Sequence, residues 1–255
     1  MPEDEKLPFT SHLEELRKRL IICFIAVGIA FCICYAFSKR LFEILMQPLL
    51  TAMPPDEKLI YTGLPEAFFT YLKVAFLAGI LLAIPVIMYQ FWMFIAPGLY
   101  DKEKRWAIPI VVLSSVFFLG GAMFGYFVVF PFGFKFFMGF ASDAIKPLPS
   151  MKEYMGFSTK LLFAFGLVFE MPLFITFLAK LGVVDVQFLS TKRKYAILLF
   201  FVLAAILTPP DVITQVMMAG PLILLYEVSI LGARLFGKKR EKAEADIKET
   251  QEKAG

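Results

Sequence analysis

The chain has 255 residues, 59% of them hydrophobic and 19% charged, with 30 phenylalanines and a formal net charge of +4. Soluble domains average about 45–50% apolar and about 25% charged, so the excess of apolar side chains points to lipid as the solvent. The same balance excludes a disordered chain and a nucleic-acid binder acting through surface basicity. Cys23, Cys32 and Cys34 share one apolar stretch, and His12 is the only histidine. That pattern makes neither a disulfide framework nor a zinc site, so no metal or cofactor is expected.

A polar entry, Ser11 to Leu20, comes first. Ser11 and Glu14 have capping-box spacing. Leu13, Leu16 and Leu20 share a helical face, which predicts an amphipathic entry helix at the inner membrane surface. Glu14 with Lys18, and Glu15 with Arg19, are i,i+4 pairs. The first apolar run is Leu20 to Phe37. It is too long for a signal-peptide core and is followed by more runs, so it reads as a retained helix.

The second run is Ala67 to Ala96, with Pro85 as a predicted kink. The third, Trp106 to Phe130, carries Gly120, Gly121 and Gly125, which predict close helix contact. The fourth is Met155 to Leu181, with a kink expected at Pro172. The fifth, Tyr195 to Leu207, has only 13 residues. That is roughly 20 Å of helix, short of the roughly 30 Å hydrocarbon core. Thr208-Pro209-Pro210-Asp211 then breaks the chain before the sixth run, Ile213 to Leu231. A short hairpin of this kind thins the bilayer or leaves a groove.

Charge sets the orientation. With the N-terminus cytoplasmic, the inner segments hold 17 Lys and Arg and the outer segments, including Ser38–Glu66 and Pro131–Tyr154, hold 6. The prediction is an all-α polytopic membrane protein with six spans, the last two short, and both termini inside. The two long outer segments are expected to cap the bundle. Residues 1–236 form the membrane domain, and 237–255 a charged cytoplasmic tail.

Glu170 is the sharpest single signal. It lies near the middle of the fourth run, where a charged carboxylate costs about 2.5–3.5 kcal/mol on insertion scales. Such a group faces a bundle interior or a wet cavity. Glu103, in the inner loop after Pro97-Gly98, shares a compartment with Glu15, and two carboxylates on one surface suit two guanidinium groups. No phosphate loop, nucleophile elbow or metal motif is present in the sequence.

His12-Leu13-x-Glu15-Leu16-Arg17-x-Arg19, the loop from Phe94-x-x-Pro97-Gly98-Leu99 to Glu103, Phe169-Glu170-x-Pro172 and Thr208-Pro209-Pro210-Asp211 together resemble the TatC family. TatC is the multispanning core of the twin-arginine protein translocase, and the similarity runs in order from about Pro8 to Phe236. The resemblance implies binding of the twin-arginine signal peptides of folded cargo at the cytoplasmic face. It also implies assembly with single-span TatA- and TatB-type partners, self-association in a receptor complex, and export driven by the proton motive force. The signal-binding positions then fall on Glu15, Arg17, Phe94 and Glu103. Thr208 and Gln215 correspond to partner-binding positions, Pro48 and Asp211 to the outer cap, and Glu170 to the intramembrane polar site. Glu14 adds a second acid beside Glu15, and Lys104 stands where arginine is common in the family. They leave open which acid meets which signal arginine. The implied setting is the bacterial inner membrane, and the implied role is not enzymatic. An ion-coupled small-molecule transporter would also use Glu170, but calls for more midplane polar groups and repeat symmetry.

Overall fold

The computed structural model describes residues 9–54, 59–95, 107–140, 147–207 and 212–236. The described residues are helical in the order α1 (Phe9–Ala36), α2 (Ser38–Ala52), α3 (Glu66–Ile95), α4 (Ala107–Phe124), a π-helical turn (Gly125–Val129), α5 (Phe130–Met138), α6 (Met151–Phe169), α7 (Met171–Lys180), α8 (Val186–Thr191), α9 (Arg193–Leu207) and α10 (Val212–Phe236). Five helical stretches among them are long and apolar enough to cross a membrane: α1, α3, α4 through α5, α6 through α7, and α10. The apolar excess thus appears as lipid-length helices, as expected. The 15-residue α9 is about 22 Å long and falls short of the core thickness. The inner loop from Pro97, the Thr208–Asp211 turn and the tail beyond Phe236 lie outside the described residues.

The chain divides into two compact units, residues 1–163 and 164–255. In the first, α1 packs along α3, α3 packs on α4, and α2 packs on α3 and α5. α1 and α3 approach closely at Gly79, where a Cβ would stand 2.9 Å from the Phe31 backbone nitrogen. The expected close contact at Gly120 is not made: a Cβ there would meet nothing within 4 Å. In the second unit α10 packs on α7, α8 and α9. Here Gly232 of α10 supplies the close approach, with a Cβ falling 2.3 Å from Thr176 Oγ1 of α7.

Two expectations are corrected. The polar entry is not a separate surface helix: α1 runs unbroken through it, and Ser11 lies inside the helix rather than capping it. Twenty-eight residues make about 42 Å of helix, longer than the hydrocarbon core, so the polar first turns can project beyond the lipid tails. The third run does not end at Phe130. The π-helical turn shifts the register, and Pro131 then sits in the first turn of α5, where its missing N–H is tolerated. Pro85 lies within α3, which continues to Ile95. At Pro172 the expected irregularity is present, as a break between α6 and α7 centred on Glu170.

α2 caps its unit through one amphipathic face, with Phe42, Leu45, Pro48 and Leu49 buried. Tyr154 of α6 donates its hydroxyl to the Leu45 carbonyl. The segments preceding α3 and α6 are tied together by a parallel bridge between Ile60 and Ser150. Its bonds run from Ile60 N to Pro149 O at 3.1 Å and from Met151 N to Ile60 O at 2.9 Å. Glu66 closes the junction. One carboxylate oxygen accepts from Ser150 Oγ at 2.8 Å and Lys152 N at 3.0 Å. The other accepts from Thr62 N at 2.9 Å, Thr62 Oγ1 at 3.3 Å and Gly63 N at 3.2 Å.

Candidate functional site

The first turns of α1 place His12, Glu15 and Arg19 at i, i+3 and i+7, one helical face. Gln90 and Phe94 stand one turn apart near the end of α3. Packing of α1 against α3 brings the two rows together. His12 and Phe94 stack with ring centroids 4.3 Å apart and planes at 16°. Arg19 reaches back to Glu15 with Nε 2.9 Å from Oε1, and its Nη2 joins the same oxygen. Its Nη1 donates to Oε1 of Gln90 at 3.1 Å.

Arg19 is therefore shared between a carboxylate on its own helix and a buried amide on the next. This sharing leaves Glu15 Oε2 without a hydrogen bond among the described residues. Glu15 is half-buried, whereas Glu14 is exposed, so Glu15 is the acid that faces α3. The product is a partly desolvated carboxylate with an open acceptor, flanked by an aromatic stack. Such a group suits a cationic, planar donor, because charge-assisted hydrogen bonds are about twice as strong as neutral ones.

Of the sequence-predicted positions, Glu15 and Phe94 stand on these two adjoining rows. Arg17 does not join them; it is exposed on another face of α1. Glu103 lies outside the described residues, as do Thr208 and Asp211. Sequence reasoning passed over three members of the cluster: His12 as a stacking partner, Arg19 as a positioning group and Gln90 as its anchor. The i, i+3, i+7 spacing was the available signal for the first two. Gln90 offered only a lone amide in an apolar helix.

Two other predicted positions belong to the second unit. Glu170, half-buried, is the turn residue between α6 and α7. Its amide bonds Leu167 O at 3.1 Å, and its carbonyl accepts from Phe174 N at 2.9 Å. Gln215, near the start of α10, donates Nε2 to Phe201 O of α9 at 2.9 Å. That bond clasps the short hairpin from within. Pro48, in the first unit, is buried in α2.

A protein-family model described as Sec-independent protein translocase protein (TatC) matches residues 11–221. The Sec-independent protein translocase protein TatC of Desulforapulum autotrophicum is 60% identical over 250 residues, covering 98% of this chain and 93% of that protein. The protein of the same name in Magnetococcus marinus is 49% identical over 242 residues, 95% of this chain and 89% of that one. A crystal structure of a twin-arginine translocase receptor, TatC, superposes with a TM-score of 0.79 at 45% identity, covering 88% of this chain and 98% of that chain. The family model matches well over half of the residues, in the order in which the motifs occur. The chain belongs to the TatC family of Sec-independent protein translocase proteins.

Proposed function

We propose that this multi-pass protein of the bacterial inner membrane is the core subunit of a twin-arginine translocase and reads signal peptides at the polar ends of α1 and α3. The observation that carries the reading is Glu15, half-buried beside the His12–Phe94 stack, with one oxygen held by Arg19 and the other open among the described residues. Glu103 supplies the second acid and Phe94 the apolar wall, while Arg17, exposed on another face of α1, meets the peptide away from these rows. The work is recognition rather than covalent chemistry. TatA- and TatB-type single-span helices dock along the α9–α10 hairpin near Thr208 and Gln215, with Pro48 and Asp211 at the outer cap. Export of folded cargo then draws on the proton motive force.

Photo-crosslinking from positions 13 and 104 to a signal peptide tests the site. An Arg-Arg peptide should crosslink at both. A Lys-Lys peptide should not, because a point-charge ammonium cannot reproduce the planar guanidinium fork. Glu15→Gln with Glu103→Gln should abolish the signal while leaving membrane insertion intact. Equal crosslinking by the two peptides would sink the assignment.

The six-span arrangement with both termini cytoplasmic, residues 1–236 in the membrane and 237–255 as tail, follows from the charge asymmetry. In a background lacking Cys23, Cys32 and Cys34, a cysteine at Thr62 should label only from outside and one at Gln187 only from inside. The reverse pattern would overturn the orientation.

A further inference from the structure

At the Glu66 end of α3 lies a cavity of about 390 Å³ bordered by Glu66, Phe69, Lys73 and Lys152. Lys73 follows Glu66 by seven residues, so the two share a helical face about 10 Å apart along the axis. Lys152 comes from the first turn of α6. Both lysines are exposed. Among the described residues neither ammonium takes part in an ion pair or hydrogen bond. Among the described residues that line the cavity the one carboxylate, Glu66, keeps its charge but pairs directly with neither ammonium, because both of its oxygens are committed to Thr62, Gly63, Ser150 and the Lys152 backbone. The cavity therefore presents two cations against one fully engaged anion.

The surroundings define the depth. Leu64 and Leu148, on the two segments that border the cavity, are 96% and 66% exposed. Phe68, Phe69 and Tyr61 are also exposed. Exposed leucines and aromatic rings around a polar pocket, at the end of a lipid-length helix, mark the headgroup level of a bilayer. Lys73, about two turns below Glu66, would direct its ammonium up toward the phosphates.

We propose that this cavity is a specific site for an anionic glycerophospholipid, whose phosphodiester is clamped between Lys73 and Lys152 while an acyl chain follows the exposed Phe69 side of α3. The charge excess favours a headgroup without its own amine. In phosphatidylethanolamine the ammonium would meet two lysines, whereas phosphatidylglycerol brings only negative charge.

The test is native mass spectrometry of the detergent-purified full chain, titrated with phosphatidylglycerol or phosphatidylethanolamine. Wild type should retain phosphatidylglycerol preferentially. Lys73→Gln with Lys152→Gln should weaken that retention roughly tenfold, the factor that about 1.4 kcal/mol represents, and bring the two lipids level. Lys39→Gln with Arg40→Gln, which removes two exposed charges of α2 outside the cavity, should leave the preference intact. Helical content by circular dichroism should match wild type in both double variants. Undiminished preference in the Lys73 and Lys152 variant, or equal loss in the α2 variant, overturns the proposal. Competition by millimolar inorganic phosphate would assign the cavity to a free anion and overturn the lipid.

Discussion

The Tyr126 hydroxyl donates to the carbonyl of Ile44, and Ile44 is the residue whose helical donor Pro48 removes. In a regular helix the amide at position 48 would bond the carbonyl four residues back. Proline has no N–H and leaves that acceptor open. Tyr126, in the π-helical turn after α4, replaces the missing donor from another element. A buried proline in α2 and a register shift in a lipid-length helix are thus parts of one arrangement.

The first prediction follows from that pairing. Tyr126→Phe keeps the ring and removes the donor, and should cost about 1–3 kcal/mol. Pro48→Ala returns an amide to Ile44. In that background Tyr126→Phe should cost distinctly less. The check is a double-mutant cycle by thermal unfolding in detergent. Equal losses in both backgrounds would show that the hydroxyl does not substitute for the backbone donor.

Glu66 gives a pH prediction. It stands before the apolar run that begins at Ala67, at the end of a helix about 45 Å long by its 30 residues, and so beyond the lipid core. The Ser150 hydroxyl, with the amides of Thr62, Lys152 and Gly63, lowers its pKa from 4.5 to about 2. A depressed folded-state pKa means that the carboxylate stabilises the junction fully above the unfolded value. That contribution is lost as pH falls through the folded value. Wild type should therefore exceed Glu66→Gln in thermal stability at neutral pH, and the gap should narrow between 4.5 and about 2. A gap that stays constant across that window would remove Glu66 from the junction's energetics.

How far the sequence foretold these features depends on their range along the chain. The apolar runs and the Glu15–Arg19 pair were legible because each is a matter of spacing within one helix. The break at Glu170 was legible because a proline two residues on removes a helical bond. Gln90 was not, since its partner Arg19 lies 71 residues away and only α1–α3 packing joins them. The π-helical turn was invisible for another reason: the run is apolar on every face, so a shift of register leaves no mark on its pattern, and Pro131 looked like the end of a helix. Gly79 and Gly120 are equivalent in composition, and only the neighbouring backbone tells them apart.

Gln90 supplies the third prediction, as a positioning residue. Each bond that Arg19 gives to Gln90 is one it does not give to Glu15. Gln90→Leu preserves volume and apolarity but frees Arg19 to occupy both carboxylate oxygens. Binding of a twin-arginine peptide should then weaken roughly tenfold, about 1.4 kcal/mol, with thermal stability little changed. Gln90→Glu restores an acceptor for Arg19 and should recover most of the binding. A Leu variant that binds like wild type, or a Glu variant no better than Leu, would argue that Gln90 only fills space.

The last prediction concerns Glu170. The break it occupies has a local cause: Pro172 cannot donate to the Val168 carbonyl, and beside it the Glu170 amide bonds the Leu167 carbonyl three residues back at 3.1 Å. The carboxyl group thus emerges where the helix is locally open and its backbone is more polar than elsewhere in the span. A half-buried acid in such a place can act through hydrogen bonding or through full charge, and substitutions separate the two. Glu170→Gln keeps the shape and the hydrogen-bonding capacity, so export of a twin-arginine reporter should remain near wild type. Glu170→Leu removes the polar group and should lower export further. Glu170→Arg adds volume and a cation whose burial costs about 2.5–3.5 kcal/mol on insertion scales, and should be the most damaging. The order Gln, Leu, Arg in declining export, at equal levels of membrane-inserted protein, is the expected outcome. A Gln variant as inactive as Arg would mean that a negative charge is required at this position.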